Sequence, residues 1–350
     1  MLSVAVACEP TTGPDKVTLD PDAALADYKA MQEVFASDGW AGFRALGGRT
    51  PLSASVALTQ LGALGDAHSP HTARSFATNL FSSLAANSPA GQTLRESVIS
   101  SVHLGKTLAY NVAADRYVID ASRTGAPANG TRFILYEVGA NGKPIVSQEI
   151  GYADLLDEGA EAGGAVVLRL VAVARGHTLL DYRLRAEPQG SGGRIDVNGF
   201  LAGENGARLD FTIGAVGTVA NGQSTVDLTF ELAMAQRHFD VSGSVNGVDG
   251  AANGEGVVEL DVRHGDNTLR VEMTGEAGEL DGAIHLNGQP FVTVTGSAMS
   301  PVLRNAAGLP LTGPELLLVL SIVDTADNVF DLVEDLLRPV DNLLLLGWIL

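Results

Sequence analysis

Histidine and carboxylate side chains are the groups whose spacing could do chemistry in this chain, and few of them cluster. Of seven histidines, only His68 and His71 lie together, with Asp66 just before them. An Asp-x-His-x-x-His spacing can bring two imidazoles and a carboxylate to one divalent metal. Pro70 lies between the imidazoles, so Gly65 to His71 reads as a solvated loop joining two helices, and no metal is expected. Gly247-Val248-Asp249-Gly250-Ala251-Ala252-Asn253-Gly254-Glu255-Gly256 offers oxygen ligands of the calcium kind. Its spacing matches neither an EF-hand loop nor the calcium-binding nonapeptide repeat, and it reads as a hairpin loop. Neither Gly-x-Ser-x-Gly nor Ser-x-x-Lys occurs, and there is no Gly-x-x-x-x-Gly-Lys phosphate loop. Carboxylates are plentiful, but the two tryptophans, Trp40 and Trp348, lie outside the strand-rich centre, which argues against glycosidase chemistry. A non-enzymatic protein without catalytic residues or cofactor is expected.

The remaining reactive group is the single cysteine. Cys8 follows Met1-Leu2-Ser3-Val4-Ala5-Val6-Ala7, an apolar run that ends in a small residue. A lone thiol in this setting resembles the lipobox of bacterial lipoproteins. That resemblance implies acylation of Cys8 and a lipid tether to a membrane face, in the periplasm or at the outer membrane of the cell envelope. The run departs from the usual pattern at Ala5, where lipoboxes carry leucine, and no Lys or Arg precedes it. A start upstream of Met1 would account for the short leader. The other reading is a frayed terminus, or an inner strand, with a buried cysteine. Glu9-Pro10-Thr11-Thr12-Gly13-Pro14-Asp15 reads as a flexible tether, punctuated by proline and glycine.

Composition narrows the partners. The chain has 350 residues, 45% of them hydrophobic, which suits about two domains and a substantial core. Forty-one glycines and only 5% aromatics point to many tight turns around a core of Val, Leu, Ile and Ala. One cysteine rules out an intramolecular disulfide. The net charge of −19 repels nucleic acid and anionic headgroups and favours cationic partners. No run approaches the roughly 18 apolar residues that a membrane-spanning helix needs.

The elements that must position any site fall into successive regions. Residues 1–18 read as signal remnant and tether, and residues 19–104 as helical. In the latter, Asp20-Pro21-Asp22 caps a helix with Leu25, Tyr28, Met31, Gln32 and Phe35 at helical spacing, closed by Gly39. Further helices are expected over 53–64, 72–84 and 93–102. Residues 105–300 read as an antiparallel β-meander. Leu209, Phe211 and Ile213 alternate with Arg208, Asp210 and Thr212, and the same two-residue period recurs at Val226 to Leu232, Val258 to Val262 and Leu269 to Met273. Asn141-Gly142 marks a hairpin, whereas 154–164 reads as an acidic loop. Similar segments at 195–203, 239–247 and 280–288 place Gly199, Gly243 and Gly282 at inward positions, where the sheet can bend. Residues 301–350 read as C-terminal helices. Thr312-Gly313-Pro314-Glu315 forms a capping box, followed by an apolar stripe of Leu316, Leu320, Val323, Phe330, Val333 and Leu337.

The fold class expected is therefore α+β: N-terminal helices, a large curved antiparallel meander, and C-terminal amphipathic helices packed on the sheet. The Cys8 context, the segment Gly125-Ala126-Pro127-Ala128-Asn129-Gly130-Thr131-Arg132-Phe133-Ile134-Leu135-Tyr136 and the Gly-rich meander resemble exported bacterial envelope proteins of no known activity. Helices before and after a curved sheet resemble the half-barrel of periplasmic lipoprotein and lipid carriers, which implies an apolar or acyl ligand between sheet and helices. Phe211, Phe230, Leu260, Val271 and Met273 are the candidate lining residues; the other reading is that they pack as core. The alternative function is a structural or adhesive surface module without a small-molecule ligand.

Overall fold

The computed structural model describes residues 33–34, 37–46, 99–161, 164–189, 192–203, 206–220, 223–249, 255–276, 279–297, 300–313, 315–317 and 319–320. They form one open sheet of fifteen strands. The strands are β1 (Lys106–Asn111), β2 (Arg116–Ile119), β3 (Gly130–Val138), β4 (Pro144–Ala160), β5 (Val166–Ala174), β6 (His177–Gln189), β7 (Gly192–Ala202) and β8 (Arg208–Ala220). They continue with β9 (Gln223–Met234), β10 (Phe239–Asp249), β11 (Glu255–His264), β12 (Asn267–Glu276), β13 (Glu279–Leu286), β14 (Gln289–Ser297) and β15 (Ser300–Asn305). From β3 to β15 each strand pairs antiparallel with the next, so the expected meander is present. At the other end β1 lies parallel to β3 and β2 forms the edge.

Period-two patterning explains the sheet. In β5 to β9 the apolar residues are buried on one face and the polar ones point outward. The turns use residues that tolerate a left-handed backbone: Arg175-Gly176 has φ values of 50° and 82°, and Asn287-Gly288 has 51° and 74°. Those angles suit the primed two-residue turns that match strand twist. At the predicted Asn141-Gly142 hairpin, Gly142 has φ 73° and donates its N–H to the Gly139 carbonyl at 2.8 Å.

Three glycines on the dry face are each covered by a large neighbour. Gly243 pairs with Phe230, Gly282 with Met273 and Gly199 with Tyr182. A Cβ on Gly243 would lie 2.6 Å from the Phe230 ring, and one on Gly282 2.6 Å from the Met273 sulfur. The recurring glycine segments thus mark places where a large side chain folds over a bare backbone. Their spacing is three strands (β7, β10, β13), so successive units run in opposite directions and are not propeller blades.

The expected α+β class is corrected. Among the described residues strand accounts for 68% and helix for 10%, and neither an N-terminal helical layer nor C-terminal helices packed on the sheet are shown there. Alanine- and leucine-rich segments at helical spacing suggested those layers. The segments 53–64 and 72–84, most of the first segment, and 321–350 lie outside the described residues. Within them, residues 99–105 form turns rather than the end of a helix. Gly39, expected to close a helix, instead sits in the first turn of α1 (Asp38–Leu46). Ser37 Oγ accepts the Trp40 N–H at 3.2 Å, as an N-cap does. Trp40 and Phe43 then stack at 5.4 Å and enter the core with β3, β4 and β5. At the other end, Glu315 Oε2 accepts the Thr312 N–H at 2.7 Å and begins a helical turn, and Val319 is buried in the core.

The acidic segment 154–160, expected as a loop, continues β4. Its charges are met from distant strands: Asp154 binds Arg132 at 2.7 Å and Glu158 binds Arg183 at 2.9 Å. Asp157, only 8% exposed, accepts the Gly159 N–H at 2.8 Å beside a register shift in the β4–β5 ladder.

Candidate functional site

The five candidate lining residues share the dry face. Phe230, Leu260 and Val271 lie on one cross-strand row, in register through Gly243. Phe211, paired with Leu232, and Met273, paired with Val258, sit on the two rows that flank it on opposite sides. They do not share one environment. Phe211, Phe230 and Leu260 are 3%, 2% and 2% exposed, and Phe211 meets Tyr182 edge-on at 6.0 Å. These three are built into the core. Val271 and Met273 are half-buried, as are Val258, Val262, Phe291 and Leu303 around them. The apolar face is therefore closed over β5 to β10, while over β11 to β15 these half-buried residues alternate with the buried Leu260, Leu269, Ile284, Val292 and Val294.

The wet face carries two electrostatic panels. Over β4 to β8 each carboxylate meets an arginine: Arg169–Asp181 at 2.7 Å, Arg183–Glu161 at 2.8 Å, Arg185–Glu161 at 2.9 Å, Arg194–Asp196 at 2.8 Å and Arg208–Asp210 at 2.5 Å. Hydrogen bonds from Arg185 and then Arg183 hold the Glu161 carboxyl below its ordinary range. Arg208 also covers the Phe200 ring at 3.9 Å. Over β9 to β11 the balance changes. Asp227, Glu231, Asp240, Glu259 and Asp261 point outward against a single Arg263.

A trough of about 380 Å3 crosses this acidic panel, lined by Thr212, Thr229, Glu231, Ser242, Ser244, Glu259 and Asp261, with Phe230 and Gly243 at its base. It arises from side-chain size. One outward row runs Thr212–Glu231–Ser242–Asp261 and the next Gly214–Thr229–Ser244–Glu259, so short side chains fill the middle. Arg270 stands at one end, 2.6 Å from Glu272 and 4.0 Å from Glu259.

A third cluster ties the β1–β2 turn to the β3–β4 turn. The Tyr110 hydroxyl donates to Asp115, and Lys143 Nζ binds the same carboxylate at 2.6 Å. The hydrogen bond to Asp115 pushes the Tyr110 hydroxyl up to about 12, helped by burial and by the carboxylate charge. The bond from Lys143, then that from Tyr110, lowers Asp115. A phenol held protonated is a poor base, so this group works as a latch between turns.

Cys8, Asp66, His68 and His71 lie outside the described residues, as does the middle of the 247–256 loop. Among the described residues no group of His, Cys, Asp or Glu converges as a metal site would require, and no helix is long and apolar enough to cross a membrane. The arginine lattice was missed in the sequence, although Arg185-x-Glu187, Arg194-x-Asp196, Arg208-x-Asp210 and Arg270-x-Glu272 each place opposite charges on one face of a strand. Compared with family models, with curated proteins and with solved structures, the chain shows no match.

Proposed function

We propose that the protein is a non-enzymatic, membrane-tethered lipoprotein of the cell envelope that binds an acyl chain or similar apolar ligand on the open end of its dry face. The observation that carries this reading is the partly covered apolar surface of Val258, Val262, Val271, Met273, Phe291 and Leu303, continuous with the closed core. Such a surface loses free energy when covered, about 25 cal/mol for each Å2 removed from water. The tether rests on the Cys8 context alone, and the ligand on the sheet alone, so the two parts stand independently. Titration of the full chain with a fluorescent fatty acid tests the ligand. Saturable binding that Met273→Asp abolishes while the fold is retained supports it; binding unchanged in Met273→Asp refutes it. A diacylglycerol mass increment on the Cys8 peptide supports the tether, and an unmodified peptide from membrane-purified protein refutes it.

A structural or adhesive surface module without a small ligand is the second reading. The arginine–carboxylate lattice over β4 to β8 favours it, because multiply bonded side chains make a stiff outer face.

A further inference from the structure

We infer that Asn141 is a site of spontaneous covalent modification, in which its side-chain amide is lost to the Gly142 nitrogen, and that the change releases the latch between the β1–β2 and β3–β4 turns. Asn-Gly pairs begin at Asn129, Asn141, Asn198, Asn246 and Asn287 among the described residues. Glycine after asparagine leaves the peptide nitrogen unshielded by a side chain. The fold restrains four of these pairs. Asn198 and Asn246 lie inside β7 and β10 and are paired on both sides, so turning the nitrogen toward the side chain breaks ladder bonds. Asn129 donates its amide to the Asp157 carbonyl at 2.9 Å. Asn287 uses both ends of its amide: Oδ1 accepts the Thr268 N–H at 2.8 Å, and Nδ2 donates to Asn267 at 3.1 Å. Asn141 is exposed in a turn, and the nitrogen that would attack it is fixed by one backbone bond, from Gly142 to the Gly139 carbonyl.

The reaction needs only water. The Gly142 nitrogen gives its proton to solvent base and bonds to Asn141 Cγ. The Cγ–Nδ2 bond breaks, Nδ2 takes up a proton and leaves as ammonia, and a five-membered imide remains. Negative charge gathers on Oδ1 as the nitrogen adds, and the Lys143 N–H already donates to that oxygen at 3.1 Å. Water then opens the imide at either carbonyl, giving aspartate or its β-linked isomer with one negative charge gained. In the isomer the main chain runs through the side-chain carbon and is one atom longer at residue 141. Two residues on, the Lys143 carbonyl accepts the Gly139 N–H at 2.9 Å, and Lys143 Nζ holds Asp115 at 2.6 Å beside the Tyr110 hydroxyl. Lengthening this turn moves Lys143 away from Asp115. Neither the apolar ligand nor the tether enters this chemistry.

Peptide mass spectrometry of the full chain, aged in mildly alkaline buffer, reads the reaction. The Asn141 peptide is expected to exchange NH2 for OH, with separate chromatographic peaks for aspartate and its isomer. Its rate is expected to exceed that of the other four pairs by about tenfold, the factor that one further hydrogen bond to be broken supplies. In urea all five pairs are expected to react within about threefold of one another, since the fold no longer distinguishes them. In an ultraviolet titration the modified fraction should show one tyrosine equivalent moved from near 12 toward the ordinary phenol range, and aged Asn141→Gln should not. Equal rates at the five pairs in folded protein, or an Asn141 peptide that stays unmodified, would overturn the site. A ranking that persists in urea would place its cause in local sequence and overturn the role of the fold. An unmoved tyrosine in the modified fraction would overturn release of the latch. Should Asn141→Gln not fold, the modified and unmodified fractions of wild type, separated by charge, decide.

Discussion

The Phe230 ring occupies the space that a side chain at Gly243 would need, directly opposite it in the β9–β10 ladder. An aromatic folded over a glycine covers the bare backbone with its ring and lets the strands approach closely. Gly243 is bordered on its other side by the buried Leu260, so the pair belongs to a cross-strand row that stays in the core as far as β11.

Gly243→Val forces this arrangement apart. The added carbons meet both the Phe230 ring and the Glu259 carbonyl, so overpacking is expected to cost about 1–3 kcal/mol in urea denaturation. Adding Phe230→Leu to Gly243→Val should recover part of that loss, giving a non-additive double-mutant cycle. Additive losses would show that the two residues act separately.

The arginine lattice makes stability depend on acid. Glu161 accepts hydrogen bonds from Arg183 and Arg185, which lower its pKa from 4.5. A depressed carboxylate contributes stability that is fully present above its unfolded value and is lost as pH falls through its folded value. The melting temperature of wild type should therefore decline as pH drops below about 4.5, and Glu161→Gln should decline less over the same window while starting lower at pH 7. Parallel curves for the two proteins would contradict the pairing.

Tyr110 gives the opposite sign. Its hydroxyl is raised from 10.0 to about 12, so its contribution is present below pH 10 and is lost as pH rises through the folded value. In an ultraviolet titration, Asp115→Asn should move one tyrosine equivalent from near 12 toward the ordinary phenol range. An unshifted curve would show that the Tyr110–Asp115 bond does not form in solution.

Much of the sheet was legible because its signals are local. Alternation at Leu209 to Ile213 or Val226 to Leu232 needs only its own strand, and Asn141-Gly142 or Asn287-Gly288 needs only its own turn. The residues that misled are those settled by distant partners. Asp154, Asp157 and Glu158 read as a loop because the groups that meet them, Arg132, the backbone at 159 and Arg183, lie on other strands or in a bulge. Helical spacing at Leu25 to Phe35 gave no warning that Gly39 would open a helix rather than close one. The five candidate lining residues share the dry face, but alternation carries no information on depth. Phe211 and Met273 read alike in sequence, yet one is core and the other is half-covered. The trough depends on register across four strands, which no single segment reveals.

The measurement that bears most directly on the proposed function is native mass spectrometry of the full chain purified from membranes. Acyl lipid retained on the folded protein, and lost in Met273→Asp, is the result expected of a sheet that holds an apolar ligand on its open end. Wild-type protein of the bare chain mass plus only covalent modifications, with no bound lipid, would contradict it.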